Sequence, residues 1–93
     1  MVYEIVTTNR FKKGLKRAIK RGLDLSLLDE VVEKLRTGKR LEAKFNDHAL
    51  SGKFKDFREC HVQPDWLLVY LKDDGVLTLT LAETGTHAEL FDL

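Results

Sequence analysis

Apolar positions along the chain change period near residue 45, and the change separates a helical first half from a strand-like second half. Val2 to Thr7 (VYEIVT) is a short run of β-branched and aromatic residues and predicts a first strand. Thr8 and Asn9 follow as candidate N-caps. Phe11, Leu15, Ala18 and Ile19 then line one face of a helix that runs to about Arg21 and stops at Gly22. Ser26 with Asp29 resembles a capping box, and Leu27, Leu28, Val31, Val32 and Leu35 form a second helical stripe ending at Thr37-Gly38. The short connection through Gly22, Leu23 and Asp24 predicts an antiparallel pair packed by the two stripes.

From Phe45 the pattern becomes that of strands. Ala49 to Phe57 leads into a strand at Arg58 to Val62, closed by the turn Gln63-Pro64-Asp65. Trp66 to Leu71 is the most apolar strand, Asp73-Asp74-Gly75 is a hairpin signal, and Val76 to Leu81 alternates as its partner. Thr84 to Phe91 closes the chain with a turn and one helical turn or an extended tail. One strand, two helices and a run of hairpins predict an α+β fold: two N-terminal helices on one face of a mainly antiparallel sheet of four to five strands, the other face left open for a ligand. The 93 residues are expected to form a single domain, 1–93.

Composition adds function classes to exclude. With 43% apolar and 33% charged residues the chain reads as globular rather than disordered. Its longest apolar stretch is too short for a membrane span, and the start Met1-Val2-Tyr3-Glu4 lacks a signal-peptide layout, so a cytoplasmic location with no membrane partner is expected. The net charge of +1 hides an asymmetry: Met1 to Lys44 holds 12 Lys or Arg against 6 Asp or Glu, and Phe45 to Leu93 holds 4 against 9. Arg10, Lys12, Lys13, Lys16, Arg17, Lys20 and Arg21 make the outer face of the first helix a candidate track for a phosphate backbone, or simply a solvated face.

The candidate chemistry lies in the second half. His48, His61 and His87 each stand beside a turn or at a strand end, and imidazoles titrating near neutrality can take and give a proton within one turnover. Their spacing alone equally fits three unrelated surface histidines. The intervals match no compact ligand motif, so neither a metal nor any other cofactor is expected. Asp65, in a rigid turn, can orient an imidazole or cap the backbone. Trp66 is a base-stacking candidate or a core residue, and Arg58 a phosphate clamp or the surface partner of Glu59 or Asp56. Cys60, the only cysteine, can form no internal disulfide and reads as an inert thiol rather than a nucleophile.

Taken together, Asp47-His48-Ala49-Leu50-Ser51-Gly52-Lys53-Phe54-Lys55-Asp56-Phe57-Arg58-Glu59-Cys60-His61-Val62-Gln63-Pro64-Asp65-Trp66-Leu67-Leu68-Val69-Tyr70 and Thr84-Gly85-Thr86-His87-Ala88-Glu89-Leu90-Phe91 resemble the YafQ family of RelE-superfamily toxins. The helix from Phe11 to Arg21 resembles that family's first helix more loosely. The resemblance implies a toxin of a type II toxin–antitoxin system, an endoribonuclease that cleaves mRNA in the ribosomal A site and is silenced by a cognate antitoxin. It implies His48, His61, Asp65 and His87 as the catalytic set, with Trp66 and Phe91 shaping the site. It further implies a metal-independent attack by the 2′-hydroxyl that leaves a 2′,3′-cyclic phosphate and a 5′-hydroxyl.

Substrate contacts are expected from Arg58 and from Lys13, Lys16, Arg17 and Lys20. His48 or His61, with Asp65, is assigned to activating the 2′-hydroxyl, and His87 to protonating the leaving oxygen. The sequence departs from the family at Glu83, where the resemblance implies an arginine that neutralises the developing phosphorane. A carboxylate there reverses the sign. Either Arg58 or a lysine of the first helix substitutes, or the activity is weak, by nature or by a deliberate change that tames a lethal protein. Two non-enzymatic readings follow: an impaired homologue that binds an antitoxin or the ribosome, and, on the basic helix alone, an RNA-binding module.

Overall fold

The structure, a computed structural model, describes residues 2–91, with Phe91 described in its backbone only. The elements run β1 (Glu4–Thr7), α1 (Asn9–Lys20), α2 (Leu25–Arg36), β2 (His48–Ala49), β3 (Arg58–Gln63), β4 (Trp66–Asp73), β5 (Thr78–Gly85) and α3 (His87–Phe91). The sheet has five strands in the order β1-β5-β4-β3-β2. All pairings are antiparallel except that of β1 with β5. The α+β expectation therefore holds, with one parallel edge.

Local chemistry fixes the helix ends. Thr8 Oγ1 accepts the Phe11 N–H at 3.0 Å and donates to the Ala82 carbonyl at 2.6 Å, so the residue that starts α1 also ties it to β5. The cap of α2 is Asp24, which accepts the Ser26 N–H at 3.0 Å; Ser26 lies inside the helix, and the capping box expected there does not form. α1 lies against β5, and α2 against β3, so each helix docks on the sheet rather than chiefly on the other. Ile19 stays 56% exposed, and the buried face of α1 is Phe11, Gly14 and Ala18. A Cβ on Gly14 would stand 2.0 Å from the Thr84 carbonyl oxygen, so only glycine permits this close helix–strand approach.

β4 occupies the middle of the sheet and is buried from Trp66 to Tyr70. Its side chains alternate. Trp66, Leu68 and Tyr70 join Phe11, Val31, Leu35, Cys60 and Leu79 in the main core under the helices. Leu67 and Val69 face the other side, where Leu90, Leu50, Phe57 and Ala82 cover them. That second face is thus not left open throughout, as the sequence suggested; only its polar part is. Three further boundaries moved. β1 is an edge strand with Ile5 and Val6 40% and 43% exposed. Val76 and Leu77 belong to a four-residue turn held by Asp73, whose Oδ1 accepts the Gly75 N–H at 2.9 Å. His48–Ala49 pairs as a short strand that sequence periodicity missed.

Candidate active site

Strand register assembles the site. His48 stands opposite Glu59, Glu59 opposite Val69 and Val69 opposite Glu83, so these residues form one row across the second face of the sheet. The neighbouring row places His61 opposite Leu67 and Leu67 opposite Gly85, and the chain then turns at Thr86 into α3, whose first residue is His87. Residues 13 and 26 positions apart along the chain are thereby brought together. The ring centroids of His48 and His61 lie 6.4 Å apart, and those of His61 and His87 5.7 Å apart, edge to face.

Each imidazole has a defined partner. His48 Nδ1 donates to the Asn46 carbonyl at 2.7 Å, which puts the proton on Nδ1 and directs Nε2 at Glu59 Oε1, 3.5 Å away. His61 Nε2 lies 3.6 Å from the same oxygen and 3.5 Å from Asn46 Nδ2. His87 Nδ1 stands 3.2 Å from Asp65 Oδ1, which also accepts the His87 backbone N–H at 3.3 Å. That backbone bond first, and the side-chain bond second, hold the Asp65 carboxyl below the usual aspartate range. Asp65 therefore orients His87, not His48 or His61, and this corrects the expected pairing. The carboxylate serving His48 and His61 is Glu59, which sequence reasoning treated only as a surface partner of Arg58. Glu59 is 4% exposed.

The other expected site residues divide. Trp66 is 3% exposed in the main core, and its Nε1 donates to Thr84 Oγ1 at 3.0 Å; buried on the helix side of β4, it cannot stack on a base. Arg58 opposes Tyr70 on the helix side of β3 and its Nε reaches Asp47 Oδ1 at 3.3 Å, so it sits across the strand from Glu59 and His61 and is not a clamp beside the histidines. Asp47 also accepts the Tyr70 hydroxyl at 2.6 Å, and the two bonds pin the backbone just before His48. Lys13, Lys16 and Lys20 are exposed on α1, and Arg17 Nε pairs with Glu89 at 3.0 Å. Glu83 lies 3.6 Å from Arg10 Nε, so its charge is answered from α1 by an arginine rather than by a lysine or Arg58. The Phe91 side chain falls outside what the structure describes. Cys60 is fully buried, and burial pushes its thiol up to about 12, which leaves it inert.

Ligand atoms of Glu59, His61 and His87 all lie within 4.8 Å of one another, close enough to share a divalent cation, which the chain spacing had concealed. His61 also walls a cleft of about 630 Å³ lined by Leu27, Phe45, Val62 and Pro64. Among the described residues no helix is long and apolar enough to cross a membrane.

A sequence model described as a bacterial toxin of type II toxin-antitoxin systems, YafQ, matches residues 3–92. The chain is 37% identical over 89 residues to the mRNA interferase toxin YafQ of Escherichia coli K12, covering 95% of each. The chain belongs to the YafQ family of type II toxins. The fold of this YafQ-family toxin is likewise that of the solved members. It superposes on YafQ in the E. coli DinJ–YafQ toxin–antitoxin complex with a TM-score of 0.88 at 36% identity, covering 98% of this chain and 99% of that one. It matches a metal-bound toxin from Helicobacter pylori with a TM-score of 0.90 at 48% identity, over 98% of this chain and all of the other.

Proposed function

We propose that this toxin is an endoribonuclease that cleaves mRNA on the ribosome, and that the cluster of His48, Glu59 and His61 with the Asp65–His87 pair is its catalytic centre. The observation that carries the reading is the buried Glu59 carboxylate within 3.6 Å of two imidazoles, with a third imidazole oriented by its own carboxylate. Phosphodiester transfer needs a base on one side of the phosphorus and an acid on the other. Glu59 with His61 or His48 takes the proton of the 2′-hydroxyl, whose oxygen bonds to phosphorus. His87, with Nδ1–H held by Asp65, delivers a proton through Nε2 to the 5′-oxygen as that P–O bond breaks. The products are a 2′,3′-cyclic phosphate and a 5′-hydroxyl. A flanking base finds an apolar wall in the cleft beside His61, the role that buried Trp66 cannot fill.

Single substitutions in a ribosome-bound mRNA cleavage assay test the centre. His87→Ala and Glu59→Gln are each expected to lower the single-turnover rate about a hundredfold or more while the thermal unfolding of His87→Ala stays near that of the parent. Near-parental rates in both would end the proposal. Glu83, in the same cross-strand row as Glu59, favours a second reading in which activity is attenuated and the protein acts mainly by holding an antitoxin or the ribosome. Glu83→Arg separates the two: a strong gain in cleavage supports the ribonuclease, and no gain supports the binding protein. The silencing partner on either reading is a cognate antitoxin with an acidic segment that covers the exposed cations of α1 or the histidine cluster.

A further inference from the structure

α3 is held to the rest of the molecule by one carboxylate that the proposed chemistry does not use. Glu89 Oε1 accepts Arg21 Nη1 at 3.1 Å, and Oε2 accepts Arg21 Nη2, a fork-to-fork pair. Arg17 Nε stands 3.0 Å from Oε2. At the start of α3, the N–H of Thr86, the residue before the helix, donates to Glu89 Oε1 at 2.9 Å and the Glu89 N–H donates to Thr86 Oγ1 at 3.2 Å, a capping box. The backbone makes room for this: a Cβ on Gly85 would stand 2.8 Å from Glu89 Oε1. The Arg21 bond, ahead of the Thr86 N–H and the charges of Arg21 and Arg17, holds the Glu89 carboxyl at about 2, so it stays ionised throughout the physiological range.

α3 spans only five residues, too few to persist by helix propensity. Leu90 packs it onto Leu67 and Val69, and Asp65 holds the His87 ring. Asp65 also accepts the His87 backbone N–H at 3.3 Å, so these contacts hold the first residue of α3 and its sheet side, and Glu89 ties it to α1 as well.

We propose that Glu89 is a positioning residue: by clamping α3 to Arg17 and Arg21 it sets His87 edge-on to His61, and it occupies two guanidinium groups that would otherwise draw RNA phosphates to this border of the site. The proposal rests on the reading of His87 as the proton donor, and two readouts separate the failure of one from the failure of the other.

The experiment uses the full chain and the variants Glu89→Gln, Arg21→Ala and the double variant, with unchanged circular dichroism confirming the fold. The first readout is the nuclear Overhauser contact between the His61 and His87 rings, which requires no enzymatic activity. It is expected in the parent and lost or much weakened in Glu89→Gln. The second is cleavage of ribosome-bound message: kcat is expected to fall about tenfold or more, as for an ångström-scale misplacement of a reacting group, while KM stays level or falls because Arg17 and Arg21 are released toward RNA. The double variant should be no worse than the poorer single variant, the coupling expected of one clamp. A merely structural role predicts loss of folded protein with no such split. A preserved ring contact in Glu89→Gln, or a rise in KM with kcat within about twofold of the parent, overturns the proposal. Absence of cleavage by the parent would fail the ribonuclease reading, and the ring contact alone would then decide the clamp.

Discussion

Gly14→Ala places a methyl group where α1 touches β5, and the geometry sets its cost. The new Cβ would lie 2.0 Å from Thr84 O and 3.0 Å from Thr84 C, both backbone atoms that cannot swing aside. Restoring an ordinary carbon–oxygen contact requires α1 to retreat by more than about 1 Å. Forced overpacking of this kind costs about 1–3 kcal/mol, and the retreat also loosens Phe11 and Ala18, which flank Gly14 on the buried face. Replacing a helical glycine with alanine returns about 1 kcal/mol of helix propensity. With the loosened packing of Phe11 and Ala18 counted, the balance is a net loss on the order of 1–2 kcal/mol, equivalent to a melting temperature lower by about 5–15 °C in a domain of this size. Urea and thermal unfolding followed by circular dichroism and by the fluorescence of the single, buried Trp66 provide the assay. A Gly14→Ala protein as stable as the parent, or more stable, would refute the close approach.

Further outcomes follow from the same contacts. Thr84 Oγ1 accepts from Trp66 Nε1 and donates to the Leu67 carbonyl at 2.7 Å in the buried core, so Thr84→Val should destabilise by about 2–4 kcal/mol in denaturant titration and Thr84→Ser should recover most of it. Glu89, held at about 2 against an ordinary 4.5, stabilises the fold when ionised; that contribution is complete above about 4.5 and disappears as pH falls toward 2. The shift sets a ceiling near 3 kcal/mol, and screening at the part-exposed Arg17 and Arg21 reduces it to about 1 kcal/mol, so acid unfolding of Glu89→Gln should show a shallower pH dependence in that window. Zinc bound by Glu59, His61 and His87 would take the lone pairs that carry protons, so stoichiometric Zn²⁺ should inhibit cleavage and a chelator should restore it; activation by zinc would contradict the roles given to these side chains.

Much of the fold was legible where chemistry is local. The β4–β5 hairpin announced itself through a continuous apolar run and Asp-Asp-Gly, and both helices through their stripes. The strand β5 nevertheless begins at Thr78, because the alternation that starts at Val76 runs through a turn in which Leu77 takes a positive φ of 52°. The histidines were visible as residues but not as neighbours: antiparallel register across β2 and β3, and the turn into α3, brings them together. Glu59 escaped notice because a glutamate between Arg58 and Cys60 resembles any solvated strand position; it is buried in the sheet between His48 on β2 and Val69 on β4, with His61 two residues along its own strand. Gly14 was equally silent, since its reason for being glycine is Thr84, far along the chain. Trp66 and Arg58 went the other way. Both have the chemistry of RNA contacts, and both lie on the helix side of the sheet, where one fills the core and the other holds Asp47.

The chemistry of the cut ends tests the central claim most directly. Purified protein is added to ribosomes stalled on a defined message, and the termini of the fragments are identified by their susceptibility to kinase and phosphatase. The expected ends are a 5′-hydroxyl and a 2′,3′-cyclic phosphate, and both vanish with His87→Ala. Fragments with 5′-phosphate ends, or unchanged cleavage by His87→Ala, would contradict it.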